Sequence, residues 1–69
     1  MFRITQAMVS KDGTIDHIDI KNAIEIDCHG LLNLKTLPCW PNVIRVNCDN
    51  CPLLQELPLW PKVEEIVLI

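Results

Sequence analysis

The chain is short of several things that common function classes need. Two glycines in 69 residues leave no Gly-rich loop to cradle a phosphate. Six Lys and Arg against nine Asp and Glu give a net charge of −3. There is no basic footprint for nucleic acid or an anionic membrane, so neither is expected as a partner. No apolar run reaches the roughly 20 residues of a membrane-spanning helix. The opening MFRITQAMVSKDG lacks the long apolar core of a secretory signal. The expectation is a soluble, intracellular, cytoplasmic protein. No Ser-His-Asp arrangement is present, and no paired-carboxylate cleft that so small a fold would enclose. No enzyme activity and no cofactor are expected. A chain near 60 residues buries only about 60% of its unfolded surface, so stability is marginal. The 49% apolar content is enough for one packed core.

What is there is repetition. AIEIDCHGLLNLKTLPCWPN, residues 23–42, is followed without a gap by VIRVNCDNCPLLQELPLWPK, residues 43–62, and by a third opening, VEEIVLI, residues 63–69. The period is 20 residues. Ile24/Ile44, Cys28/Cys48, Leu34/Leu54, Leu37/Leu57, Pro38/Pro58, Trp40/Trp60 and Pro41/Pro61 are identical between the copies. A fixed period of this size signals stacked supersecondary units. Each unit opens like a strand. Val46 and Cys48 are two apart and share one face, and Arg45, Asn47 and Asp49 share the other. The β-branched run Val43-Ile44-Arg45-Val46 suits a strand. Asp49-Asn50-Cys51-Pro52 is turn chemistry. Leu54 and Leu57 lie three apart on a return leg, where Pro58 and Pro61 forbid a long helix.

The run Val43-x-x-Val46-x-Cys48-x-x-Cys51-x-x-Leu54-x-x-Leu57-Pro58 resembles a leucine-rich repeat. The LP-x-WP ending resembles the 20-residue class of secreted bacterial effectors, with Trp40 and Trp60 where that class has a second leucine. Such repeats also resemble proteins of large DNA viruses, which adds host cytoplasm or virion as a location. The resemblance covers 47 of 69 residues. It implies a short, mainly β solenoid of about two and a half repeats with parallel strands, used as a protein-binding surface. The ligase domain that follows the repeats in some effectors has no counterpart here, so its catalysis is not carried over.

Residues 1–22 do not fit the template. Phe2 to Val9 alternates like a strand, Ser10–Thr14 carries an Asp-Gly turn, and Ile15–Ile20 reads as a second strand with Ile18 and Ile20 inward and Asp19 outward. The expectation is an antiparallel hairpin that caps the end of the array, as terminal units commonly do.

Stacking in register predicts three outer ladders: Glu25, Arg45, Glu65; Asp27, Asn47, Val67; and His29, Asp49, Ile69. In the first, a cation between two anions helps register more than stability. In the third, His29 and Asp49 pair when the imidazole is protonated. Glu25, Asp27, His29, Arg45, Asn47, Asp49 and Glu65 together form the candidate recognition face. Its acidity favours a protein with a basic surface. Two and a half repeats fall below the three or so that a stable array usually needs, and an apolar edge strand is a template for another chain. Val63, Glu65, Ile66, Val67, Leu68 and Ile69 are therefore the candidate self-association strand, with two copies pairing antiparallel about a two-fold axis into a homodimer. The plainer reading is a piece of a longer array. Self-association as the main role would make the protein a structural or assembly component.

Cys48-x-x-Cys51 has zinc-knuckle spacing, and Cys28, His29 and Cys39 would complete a set. The repeat explains them more simply: Cys28 and Cys48 fill one inward slot, which is Leu68 in the third copy, and Cys51 fills a turn-supporting slot. Only one C-x-x-C is present, so a small zinc module ranks behind the interaction readings. A disulfide is possible only where two cysteines meet, as Cys28 and Cys48 would on adjacent strands. Trp40 and Trp60 recur in one phase, so stacked core packing is expected over an exposed aromatic pair for ligand contact.

Overall fold

The computed structural model describes residues 1–15 and 22–68. Four short strands form one sheet, all parallel, in chain order. They are β1 (Phe2–Arg3), β2 (Glu25–Asp27), β3 (Arg45–Asn47) and β4 (Glu65–Val67). The register of the last three is the sequence period: Glu25 faces Arg45 and Arg45 faces Glu65, with Ile26, Val46 and Ile66 in the next row. The backbone bonds repeat with it. Ile44 N–H donates to the Ile24 carbonyl, and Glu64 N–H to that of Ile44, each at 2.7 Å. Cys28 N–H donates to Asn47 O, and Cys48 N–H to Val67 O.

The turns after the strands need unusual backbone. Gly30 (φ 75°) and Asn50 (φ 57°) hold the same place 20 residues apart, both left-handed. Glycine meets no penalty there, and asparagine is among the few others that tolerate it. In each copy the strand's last residue braces the turn: Asp27 Oδ1 accepts from His29 N–H and Asn47 Oδ1 from Asp49 N–H, both at 3.0 Å. The return legs are irregular and proline-bounded, with single tight turns at Leu34 and Leu54, whose N–H groups donate to Leu31 O and Cys51 O.

The core lies between the sheet and the return legs. Ile4, Ile26, Leu34, Val43, Val46, Cys28 and Cys48 are fully enclosed. Alternation explains this directly, because residues two apart on a strand share a face. No polar or charged residue is buried among those described.

Residues 1–15 depart from expectation. The strand expected over Phe2–Val9 is only Phe2–Arg3, and it pairs parallel to β2, Phe2 opposite Ile26 and Arg3 opposite Asp27. A 3₁₀ turn, Gln6–Met8, follows. The reason is that β2 has an open edge. Ile4 N–H donates to Asp27 O at 2.8 Å, which seats the Ile4 side chain in the layer of Cys28 and Cys48. A hairpin paired only with itself would leave that edge bare. The Asp-Gly turn is where it was expected: Ser10 and Thr14 are bonded across it, and Val9 and Ile15 make one antiparallel bridge. Ile18, Asp19 and Ile20 lie outside the described residues. Gly13 (φ 85°) offers its carbonyl to Lys35 N–H, so this turn leans on the first return leg.

Candidate functional site

The outer face brings the predicted ladder together. Arg45 Nη1 lies 2.6 Å from Glu25 Oε2, and Arg45 Nε contacts Glu65 Oε1. The Glu65 carboxylate, with Glu25 second, raises the guanidinium pKa. His29 Nδ1 is 3.2 Å from Asp49 Oδ2. Asp27 and Asn47 are placed on this face as expected, but their side chains are turned onto the backbone of their own turns. The reading of Asp27 and Asn47 as members of a recognition face did not foresee this. The signal was present as Asp27-x-His29 and Asn47-x-Asp49, since Asp and Asn bond the backbone two residues on.

Under the sheet the thiols form a layer. Cys28 and Cys48 are buried as free thiols, with the Cys28 Sγ donating to the Cys48 Sγ at 3.8 Å. Cys28 Sγ donates to Asn47 O at 3.0 Å, and Cys51 Sγ to Cys28 O at 2.9 Å. The hydrogen bond with Cys48 and then burial push the Cys28 thiol far above its usual range. Burial pushes Cys51 up as well. Surroundings of carbonyl oxygens and apolar side chains disfavour thiolate, the form that attacks and binds metal, at Cys28 and Cys51, whereas the hydrogen bond from Cys28 lowers the Cys48 pKa. Cys39 is exposed on the return side, with Sγ 3.2 Å from the Leu59 carbonyl. Among the described residues no three His, Cys, Asp or Glu side chains gather as a metal cluster.

Trp40 and Trp60 are both buried and stack at 5.9 Å with an 11° angle between the rings. Trp60 Nε1–H donates to Pro38 O, which satisfies the one polar atom of the ring. The pair is part of the core. A shallow cleft of about 270 Å³ lies nearby, lined by Lys35, Thr36, Leu53, Gln55 and Glu56.

The C-terminal edge exposes apolar side chains whose counterparts in the other copies are enclosed. Ile66 is 41% exposed and Leu68 58%, while their counterparts Ile26, Val46, Cys28 and Cys48 are at most 1% exposed. Val63 and Val67 are half-buried and Glu65 is exposed. Ile69 lies outside the described residues. The backbone at this edge follows from the bonds to β3. Glu65 N–H donates to Ile44 O and Val67 O accepts from Cys48, so these residues turn inward. Backbone polar groups alternate sides along a strand, so those of Ile66 and Leu68 point away from β3. No helix among the described residues is long and apolar enough to cross a membrane. Comparison of the chain with known protein families, with curated proteins and with solved structures finds no match.

Proposed function

We propose that this chain is a short leucine-rich-repeat array that acts, without catalysis, as a protein-interaction module and associates with itself through the β4 edge. The observation that carries the self-association is the exposure of Ile66 and Leu68 in a row and a layer whose other members are enclosed. Four parallel strands, three of them spaced by the 20-residue period, support the repeat reading. Residues 1–22 then serve as the end unit over β2, and residues 23–69 as the array. The test is mass in solution by light scattering over a range of concentrations. A mass of twice the chain supports the proposal, and Val67→Lys should return it to the monomer. A folded monomer at every concentration overturns it.

A second reading is favoured by the outer face. Its charged groups already answer one another, through Arg45 with Glu25 and Glu65 and His29 with Asp49. Little charge is left to attract a basic partner, which makes self-association the main role and the protein an assembly component. Charge reversal at Glu25 and Glu65 separates the two. Loss of capture of a basic partner at low salt supports the recognition face. Self-association with no other partner captured supports assembly.

A further inference from the structure

We infer that two copies of this chain join antiparallel with Val67 on the two-fold axis, a register that follows from the pattern of side chains on β4. This rests on the self-association just proposed. A two-fold antiparallel pairing of β4 with itself must centre on one residue for both cores to lie on the same side of the joined sheet, because directly opposed residues share a face. Three centres are available. Glu65 on the axis sets like charges opposite each other and places Glu64 against Ile66. Ile66 on the axis places Leu68 against Glu64. Val67 on the axis places Ile66 of each copy against Leu68 of the other on the core face, and valine against valine on the outer face. Only this last register covers the exposed apolar side chains with apolar side chains.

The backbone agrees. Ile66 and Leu68 turn their N–H and C=O groups to the open edge, because Glu65 and Val67 spend theirs on β3. Opposed across the axis, Ile66 and Leu68 of the partner form a hydrogen-bonded pair, and the same pair recurs on the other side of the axis. Val67 then occupies a non-hydrogen-bonded site, where α-carbons approach to about 4.5 Å. Glu65 stays over Arg45, away from the axis, so its ion pair survives. The opposite end of the sheet offers no such match. β1 has only two residues, Arg3 would fall beside Val67, and Ile4 is already enclosed. A β4-to-β1 contact would also leave a free end on every copy and grow without closing. The joined sheet has eight strands and presents both polar outer faces on one side.

The experiment uses single cysteine substitutions in a Cys39→Ser background, since Cys39 is the exposed thiol among the four. Val67→Cys, Ile66→Cys and Glu65→Cys are each treated with glutathione disulfide, which takes up the two electrons and two protons released as the new bond forms. A residue on the axis meets its own copy within the 4.4–6.8 Å span of a disulfide, and a residue one step off does not. Val67→Cys should give a covalent dimer at least about tenfold faster than the other two, through the effective concentration set by the dimer. Light scattering of the unsubstituted chain is run beside it. A dimer in solution with cross-linking at Ile66→Cys or Glu65→Cys instead, or at none of the three, overturns the register and leaves self-association standing. A monomer in solution with no cross-linking overturns both.

Discussion

Leu34 and Leu54 hold the same place in two copies of one repeat, yet Leu34 is fully enclosed and Leu54 is only partly buried. The same holds for Val43 and Val63, and for Leu37 and Leu57. Ile66, the third member of its row, is exposed where Ile26 and Val46 are enclosed. Burial in this molecule is therefore a property of having a neighbour on the C-terminal side, and not of the residue or its local pattern. The tryptophans show the other half of the rule. Trp60 is as well buried as Trp40, because it leans backward, stacking on Trp40 and bonding Pro38. Side chains that need the next copy are enclosed only where a next copy follows.

The strongest way to break this comparison is a charge in each place. Ile26→Asp puts an unpaired carboxylate into the enclosed core, and folding should be lost, as circular dichroism would show. Ile66→Asp should leave the monomer folded and act on self-association alone. If both variants unfold alike, the two rows are equivalent and the comparison fails.

Truncation comes next. Leu34→Ala should cost about 2–5 kcal/mol in urea unfolding, as for an enclosed leucine. Leu54→Ala should cost less, because part of its side chain stays in water. Equal losses would mean that Leu54 is covered in solution.

The thiol layer sets a pH dependence. The Cys48 contact with burial holds the Cys28 pKa up and burial holds that of Cys51 up, while the same contact lowers that of Cys48, so two of the three buried thiols hold their protons more tightly than in the unfolded chain. The folded state thus keeps protons that the unfolded chain releases near pH 8.5. Stability from this source is complete below that value and falls as pH rises above it. The slope is at most about 1.4 kcal/mol per pH unit for each thiol. Urea midpoints should drop from about pH 8.5 upward, and Cys28→Ala should flatten the drop. A flat profile in the unsubstituted chain would show that the thiol layer opens to water.

The smallest effect should come from the outer ladder. Arg45→Met removes both ion pairs at an exposed position, and its urea midpoint should move little and less still in high salt. A large loss would mean that the ladder, and not the apolar rows, holds the register.

Much of this was legible in the residues. The repeat set the strands β2–β4 and their pairing because parallel strands in units of one period stack in phase. It placed Arg45 between Glu25 and Glu65, Cys28 against Cys48 and Trp40 on Trp60 for the same reason. The N-terminal strand was not legible by period, since Phe2 stands 24 residues before its partner Ile26 and not 20. The turn around Gly13 lengthens that first unit. Only the alternation Phe2-Arg3-Ile4, the same as Ile26-Asp27-Cys28, carried a trace of it. The polar face was half legible. Its members were found, but the commitment of Asp27 and Asn47 to their own turns depends on backbone direction after the strand.

By itself, the sequence determined the period, the inward and outward alternation, and the turn positions, because these are local consequences of residue type and spacing. The tertiary structure decided which copy of each residue is enclosed, and that the first residues join β2 in parallel. Both depend on what stacks against a given strand, and a repeated pattern carries no information about its neighbours.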